Sequence, residues 1–244
     1  MKKLLGTIFT PVHYLYWAII LSLFHPIQWL SLKFGGYSAH KRSVDIMNFF
    51  LIGSYYIQGS TVIFKNLQIL PENRPIIFIS NHQSMYDIPP LIWHLRKYHA
   101  KFISKIELTK GIPSISFNLK HGGGANIDRK DSKQAVVEIF KLAERMKAHN
   151  WSAVIFPEGT RSRNGNLKPF AIGGVATILK KVPQALIVPV AITGAWKLIK
   201  YGTFPLSFGE KLTWTVLDPI EPGDRNIEEL VIEAEQSIKM ALNQ

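Results

Sequence analysis

From Ser60 onward, short apolar runs alternate with segments of helical periodicity. The apolar runs predict seven strands, at Val62–Phe64, Ile76–Ile79, Lys101–Ser104, Ala125–Ile127, Ser152–Phe156, Ala185–Val190 and Lys211–Leu217. Apolar residues three and four positions apart predict four helices, at Ile88–Lys97, Ser132–Ala148, Gly174–Lys180 and Ile227–Ala241. This alternation favours an α/β domain over residues 59–244, with a mixed sheet flanked by helices.

The segment before this domain is far more apolar. The segment from Leu4 to Phe34 has no acidic residue and is interrupted by two prolines and two histidines. A second apolar stretch follows at Val44–Ile57. Its longest clean piece, Val12–Phe24, is shorter than the roughly 20 residues that span a bilayer. We interpret residues 1–58 as a two-helix membrane motif that dips into one leaflet, which is monotopic attachment. A single spanning helix, a cleaved signal peptide and a core helix pair are the alternatives.

Composition and charge exclude several classes of protein. The chain has no cysteine, which excludes disulfides, a thiol nucleophile and thiolate metal sites. The motifs of serine hydrolases, zinc proteases and P-loop enzymes are absent from the sequence. The formal net charge of +12 attracts anionic lipid, an acidic carrier protein or nucleic acid. Because no nucleic-acid-binding motif accompanies this charge, we predict no nucleic-acid partner.

The run from Ile76 to Asp87 places polar residues at the end of a predicted strand. His82 is followed five positions later by Asp87, and a turn there can fold the carboxylate onto the imidazole. The histidine would then act as a base, without a nucleophile of its own, on a substrate hydroxyl. A purely structural hydrogen bond explains the same spacing. We interpret a second copy of the spacing, His40 and Asp45, as solvated surface polarity on a helix.

Charged residues follow three further predicted strands. The loop from Phe156 to Arg163 carries arginines that suit a phosphate, or else form a surface ion pair with Glu158. Arg129 follows the strand ending at Ile127, where an ordinary charged turn is the alternative. Lys105 ends another strand, where a plain helix start explains it equally well. The glycines at 122–124 indicate a turn.

These motifs occur in a recognisable order. They are Asn81-His82-Gln83-Ser84-x-x-Asp87, Lys105 with Glu107, Ile127-Asp128-Arg129, Phe156-Pro157-Glu158-Gly159-Thr160-Arg161-Ser162 and Val188-Pro189-Val190. From about Ser60 to Thr193 the chain resembles the glycerolipid acyltransferases, and closely the bacterial 1-acyl-sn-glycerol-3-phosphate acyltransferases. The apolar N-terminus is similar to their two-helix membrane motif. The segment Gly111–Gly124 is more polar and richer in glycine than the family pattern.

The resemblance implies an acyl transfer without a covalent intermediate. A fatty acyl group would pass from acyl-CoA or acyl-acyl carrier protein to the sn-2 hydroxyl of lysophosphatidic acid, and phosphatidic acid would form without a cofactor or metal. His82 would be the base and Asp87 would orient it. Backbone amides near Gly159 would stabilise the oxyanion, and Asn81 and Ser84 would shape the turn.

The same resemblance implies the binding residues. Arg129 and Arg161 would bind the acceptor phosphate with help from Lys105. Glu158 would hold an acceptor hydroxyl or brace an arginine, in one binding loop with Gly159 and Thr160.

We compare three possible functions. Each would be carried out at a membrane, and we expect this to be the cytoplasmic face of the bacterial inner membrane. The first is a lysophosphatidate acyltransferase. The second acts on another lyso-lipid, such as a lyso-ornithine lipid or lysophospholipid. The third is a non-catalytic basic lipid-binding module. Arg129 with Arg161 favours a phosphate-bearing acceptor, and the intact His82–Asp87 pair disfavours the module.

Overall fold

The centre of the molecule is one mixed seven-stranded sheet. The computed structural model describes residues 1–66 and 69–244. The strands are β1 (Thr61–Asn66), β2 (Ile76–Ser80), β3 (Lys101–Lys105), β4 (Ala125–Ile127), β5 (Ala153–Ile155), β6 (Leu186–Thr193) and β7 (Lys211–Val216). Their order is β1-β7-β6-β2-β5-β3-β4. The five strands from β6 to β4 are mutually parallel, whereas β7 runs antiparallel to β6 and carries β1 in parallel.

Seven helices surround this sheet: α1 (Lys2–Ile57), α2 (Ile88–His94), α3 (Ile115–His121), α4 (Ser132–His149), α5 (Gly173–Lys181), α6 (Ala195–Leu198) and α7 (Ile227–Ala241), within the residues described above. The predicted mixed sheet flanked by helices is confirmed, and every predicted strand and helix has a counterpart. The short helices α3 and α6 were not predicted. The predicted helix Ile88–Lys97 is too long, because a 3-10 turn at Arg96–Tyr98 follows α2.

Both faces of the sheet are buried at its centre, and β2 shows how. All five of its residues are buried. Ile76 and Phe78 belong to the cluster on the side of α1 and α2, while Ile77 and Ile79 belong to the cluster on the side of α4, α5 and α7. A strand covered on both faces is a continuous apolar run, which is why β2 was easy to recognise in the sequence.

Helix α1 is a hairpin of two helical arms. Gly36 has φ +67° inside it, so residues 2–35 and 37–57 form two helices joined by a sharp break. The arms are antiparallel, because His13 Nδ1 contacts the Ser54 carbonyl at 3.0 Å and Gln28 contacts Met47. Glycine is suited to this break because a positive φ costs it little. By length and composition alone, α1 is also the one described helix that could cross a membrane.

The hairpin has two apolar faces. Its inner face, with Trp17, Leu51 and Tyr55, belongs to the same core cluster as the sheet residues Phe78 and Val188. Its outer face carries large side chains that remain exposed, at Leu4, Ile8, Val12, Leu15, Ile19, Leu23, Leu30 and Phe34. Their spacing of three, four or seven residues makes one continuous stripe along the first arm, here called the outer stripe. The proposed boundary near residue 58 between two domains stays a prediction.

The interpretation of His40 and Asp45 as solvated surface polarity is wrong. His40 is fully buried and Asp45 is 8% exposed. His40 packs edge-on against Phe117 of α3, and Asp45 forms an ion pair with Lys41. Because the second arm of α1 lies on α3 and the start of β3, these polar positions face the protein interior.

The glycines at 122–124 form the predicted turn. Gly123 has φ +81°, and a side chain at Gly124 would stand 2.6 Å from the Phe102 carbonyl oxygen. Arg145 donates to the carbonyls of both glycines, at 3.0 Å each. Glycine is therefore needed here to let the turn pass close to β3.

Candidate active site

Four neighbouring parallel strands end at one edge of the sheet. In spatial order they are β2, β5, β3 and β4. His82 follows β2, Glu158 and Arg161 follow β5, Lys105 ends β3 and Arg129 follows β4. The carboxyl edge of parallel strands is where α/β proteins usually bind ligands. The fold therefore brings the residues singled out from the sequence to one edge.

The spacing of His82 and Asp87 produces the predicted hydrogen bond. His82 Nδ1 lies 2.8 Å from Asp87 Oδ2, and the Asp87 side chain is fully buried. An ionised carboxylate only accepts hydrogen bonds, so Nδ1 is the donor and Nε2 is left with its lone pair. The His82 ring also stacks on Phe156, with centroids 4.2 Å apart. This pair can deliver a base to a hydroxyl group beside it.

The turn that carries the pair is held by its own polar side chains, as predicted. Ser84 caps the 3-10 helix Met85–Asp87 in a capping box with Asp87. The Asp87 carboxylate also accepts from the backbone amides of Gln83 and Ser84, at 2.6 and 2.9 Å. Asn81 binds both backbone groups of Ile192 in β6, at 2.9 and 2.7 Å. The imidazole thus projects from a rigid turn.

The loop after β5 is attached to the backbone of His82 at two points. The His82 amide donates to Glu158 Oε1 at 2.7 Å, and the Ser162 amide donates to the His82 carbonyl at 2.7 Å. Between these points Gly159 turns the chain with φ +68° and is open to space. A shift of this loop would therefore also move His82, the candidate catalytic base.

Glu158 does not form the surface ion pair considered as an alternative. Within residues 1–66 and 69–244 it contacts no arginine at ion-pair distance. Burial raises the pKa of its carboxyl from 4.5 to about 7, against the hydrogen bond from His82 and the nearby amide and ammonium of Lys168. Its Oε2 is buried and has no hydrogen-bond partner among those residues. One oxygen of Glu158 is thus engaged and the other is available.

Arg129 and Arg161 form an exposed cationic pair. The pKa of Arg129 is lowered by burial and by the nearby charge of Arg161, while Glu107 raises it. Both guanidinium groups, and the exposed ammonium of Lys105, lack a hydrogen-bonded carboxylate within the part of the chain that the structure describes. Adjacent unpaired cations suit a doubly charged anion such as a phosphate monoester.

Lys168 was not predicted from the sequence. Its ammonium donates to Thr160 Oγ1 at 2.9 Å and to the Arg161 carbonyl at 3.0 Å. It therefore holds Thr160 and Arg161 in place within the loop. No sequence pattern indicated this role, because a single lysine in a polar loop looks like ordinary surface charge.

The Gly159 amide is already used inside its turn, where it donates to the Phe156 carbonyl at 3.1 Å. The amides of Thr160 and Arg161 donate no hydrogen bond within the described residues. They are two of the free backbone donors of this loop. The described residues hold no group of three or more His, Asp or Glu side chains placed to share a metal ion.

The chain is similar to proteins of a known family. The family model described as Acyltransferase matches residues 61–193. The human 1-acyl-sn-glycerol-3-phosphate acyltransferase beta is 33% identical over 159 residues, which cover 65% of this chain and 55% of that protein. The 1-acyl-sn-glycerol-3-phosphate acyltransferase of Limnanthes douglasii is 28% identical over 216 residues, which cover 88% and 71%. The chain spans about half the length of the human relative.

A crystal structure shares the fold. It is that of the 1-acyl-sn-glycerophosphate acyltransferase from Thermotoga maritima, with a TM-score of 0.81 and 23% sequence identity. The match covers 100% of this chain and 97% of that one.

We expect Glu158→Gln to flatten the pH dependence of stability between about pH 4.5 and 7. Because burial raises the folded pKa of this carboxyl above its ordinary value of 4.5, the folded state binds the extra proton, and stability falls as pH rises through this window. After allowance for partial exposure, the wild type should lose about 1–2 kcal/mol there. Denaturant titrations at several pH values measure the loss, with the exposed Glu229→Gln as control. An unchanged pH slope in Glu158→Gln would contradict the expected ionisation.

Proposed function

This chain belongs to the acyltransferase family, and from that premise we propose that it acylates the sn-2 hydroxyl of 1-acyl-sn-glycerol-3-phosphate to give phosphatidic acid. The observation that carries this proposal is the His82–Asp87 hydrogen bond beside the unpaired cations Arg129 and Arg161. The names of the relatives describe the same reaction. A base next to a phosphate-binding pair suits an acceptor with both a hydroxyl and a phosphate.

In this mechanism His82 Nε2 takes the proton of the acceptor hydroxyl while the oxygen attacks the thioester carbonyl carbon. Asp87 holds the ring in the required tautomer and stabilises the imidazolium that forms. The tetrahedral intermediate collapses, the carbon–sulfur bond breaks, and the imidazolium returns its proton to the leaving thiolate. No acyl-enzyme forms, because the acceptor itself supplies the nucleophile.

Oxyanion stabilisation is assigned to the loop after β5. The backbone amides of Thr160 and Arg161 are among its unused donors, and donors placed in advance lower the energy of a developing negative charge. Gly159 serves this arrangement through its positive φ, since its own amide is engaged in the turn.

The acceptor phosphate is assigned to Arg129 and Arg161, with Lys105 assisting from the end of β3. Glu158 follows β5 at the same edge, and its Oε1 accepts from the His82 amide. Its free oxygen, on a carboxyl with a pKa of about 7, suits a hydrogen bond with an acceptor hydroxyl. We propose no cofactor, and a donor that is either acyl-CoA or acyl-acyl carrier protein.

The outer stripe of α1 is assigned to the membrane. The acceptor and product carry acyl chains, and exposing such a chain to water costs about 0.8 kcal/mol for each CH₂. Two packed helical arms with one exposed apolar face suit insertion into one leaflet rather than a full span. Both proposed donors are made in the cytoplasm, which supports the cytoplasmic face of the bacterial inner membrane.

One assay tests the proposal directly. The purified protein is offered lysophosphatidate, lysophosphatidylcholine and a lyso-ornithine lipid with each donor, and the products are identified by mass spectrometry. Phosphatidate as the main product supports the proposal. A preference for another acceptor would assign the site to that lipid, and no product with any pair would overturn the enzymatic assignment.

We expect His82→Ala to lower turnover by about 10²–10⁴-fold, because it removes the imidazole that takes the proton of the acceptor hydroxyl. Asp87→Asn should lower it severely but leave residual activity, because it disturbs the tautomer while the imidazole remains. His121→Ala, a histidine at the end of α3, is the matched control and should keep wild-type turnover. Near-normal turnover in His82→Ala would refute the role of the pair.

We expect Arg161→Ala and Arg129→Ala to raise the acceptor KM about 10- to 100-fold and to leave the donor KM nearly unchanged. The reason is the loss of a charge-assisted contact to phosphate, worth about 1.5–3 kcal/mol. Arg163→Ala in the same exposed loop is the control. Equal effects on both KM values would instead place these arginines on the donor.

We expect the triple variant Leu15→Ser, Ile19→Ser and Leu23→Ser to bind vesicles at least about tenfold more weakly, because it removes apolar area from the outer stripe. These side chains are 62%, 54% and 55% exposed, so the core should stay intact, whereas deleting α1 would remove core residues. The control replaces the exposed Val136, Val137 and Phe140 of α4 with serine. Vesicle flotation measures binding, and unchanged flotation would exclude the stripe as the membrane face.

A further inference from the structure

A cavity of about 60 Å³ lies at the opposite end of β3 from the candidate active site. The second arm of α1, the start of β3 and the end of α3 line it, and it is partly open to solvent. None of His82, Asp87, Arg129 and Arg161 lines it, and its polar lining includes Tyr37, His40, Lys41, Asp45, Arg96 and Lys101. Since Lys101 begins β3 and Lys105 ends it, the two lysines stand roughly 13 Å apart. The cavity is therefore a separate site.

Lys101 is the most unusual residue in this cavity. It is only 7% exposed, and its ammonium lies over the rings of Tyr37 and Trp151 at 4.8 and 4.6 Å. It has no carboxylate at ion-pair distance within the described residues. A buried ammonium without a hydrogen-bonded anion is costly. Burial, together with the charge of Lys41, accordingly lowers the pKa of Lys101 to about 7.

The charges around Lys101 are unbalanced. Asp45 is the one acidic residue that lines the cavity, and it already forms an ion pair with Lys41. Arg96 instead stacks on Trp93 and donates to the Trp93 carbonyl. The cavity wall therefore carries more positive charge than its own residues neutralise.

Polar atoms in the wall also lack hydrogen-bond partners. Both ring nitrogens of His40 and the hydroxyl of Tyr37 are buried, and none has a partner among the described residues. Burial and the nearby charges of His121 and Lys101 lower the pKa of His40 to about 4, so its neutral ring has one N–H donor and one acceptor. Native proteins pair nearly all buried polar atoms. Residues of three types, Lys101, His40 and Tyr37, thus line one partly open cavity with surplus positive charge, and each has an N–H or O–H donor without an acceptor among the described residues.

We propose that this cavity binds a phosphate-sized anion, either free phosphate or the phosphate group of a membrane lipid. A water molecule needs roughly 10–15 Å³ of such space, so the cavity has room for the few heavy atoms of one phosphate. Several oxygens on one anion can satisfy Lys101, His40 and Tyr37 together. A membrane lipid can supply the phosphate group because α1 reaches both places: its second arm lines the cavity, and its first arm carries the outer stripe. This site does not depend on the proposed acyl transfer.

The test uses the full-length Arg161→Ala variant in nonionic detergent, so that binding at the acceptor site contributes little. The thermal midpoint is followed as inorganic phosphate replaces chloride at constant ionic strength. At about tenfold above the Kd, phosphate should raise the midpoint by about 3–6 °C. The shift should disappear in Arg161→Ala with Lys101→Met, and persist when Lys101→Arg or the exposed Lys180→Met is introduced instead.

A second arm identifies the source of the phosphate group. The same variants are measured in mixed micelles that contain phosphatidylglycerol, with the phosphate-free lipid diacylglycerol as the control. Stabilisation by phosphatidylglycerol alone assigns the site to a lipid headgroup, and stabilisation by inorganic phosphate assigns it to the free ion. The proposal is overturned if neither exceeds its control, or if Lys101→Met retains the full shift.

Discussion

The buried carboxylate of Asp87 is the interaction on which the site depends. It receives hydrogen bonds from the imidazole of His82 and from the amides of Gln83 and Ser84. A carboxylate removed from water needs such donors to offset its lost hydration. The same contacts therefore stabilise the turn and aim the histidine. Trp214 adds a contact from β7 by donating to the Asp87 carbonyl at 3.2 Å, so the turn is joined to the antiparallel side of the sheet.

The same turn connects the site to the α1 hairpin. Tyr86, next to Asp87, is 1% exposed and packs edge-on against Trp17 and Tyr55 of α1, with ring centroids 5.5 and 5.6 Å apart. Tyr55 also donates to the Tyr86 carbonyl at 2.8 Å. Edge-on aromatic pairs add specific geometry to apolar burial. The hairpin is thus part of the support of the site and fixes its position relative to the outer stripe.

Local patterns were enough to predict the sheet, the long helices and the His82–Asp87 contact. Each depends on residues close together in sequence, such as the apolar run of β2 or the capping Ser84. The misses depend on distant contacts. Helix α3 follows Ser114, whose amide donates to His25 and whose hydroxyl donates to the Leu21 carbonyl. His40 is buried by the same packing. No local pattern reports contacts of this kind. Lys168 was missed for another reason, because its contacts lie within one loop and a single lysine there looks like ordinary surface charge.

The two ends of β3 show how burial changes the meaning of one residue type. Lys105 is exposed beside Arg129, where water stabilises its charge and a ligand can exchange quickly. Lys101 is almost completely buried, and the rings of Tyr37 and Trp151 replace only part of the hydration that its ammonium loses. An exposed ammonium is stable without a ligand. A buried ammonium is costly, and the cost is removed when it loses its proton or binds an anion. The cations behind the net charge of +12 are therefore of two types. Surface cations attract anions, whereas the buried Lys101 would be held in its charged form by a bound anion.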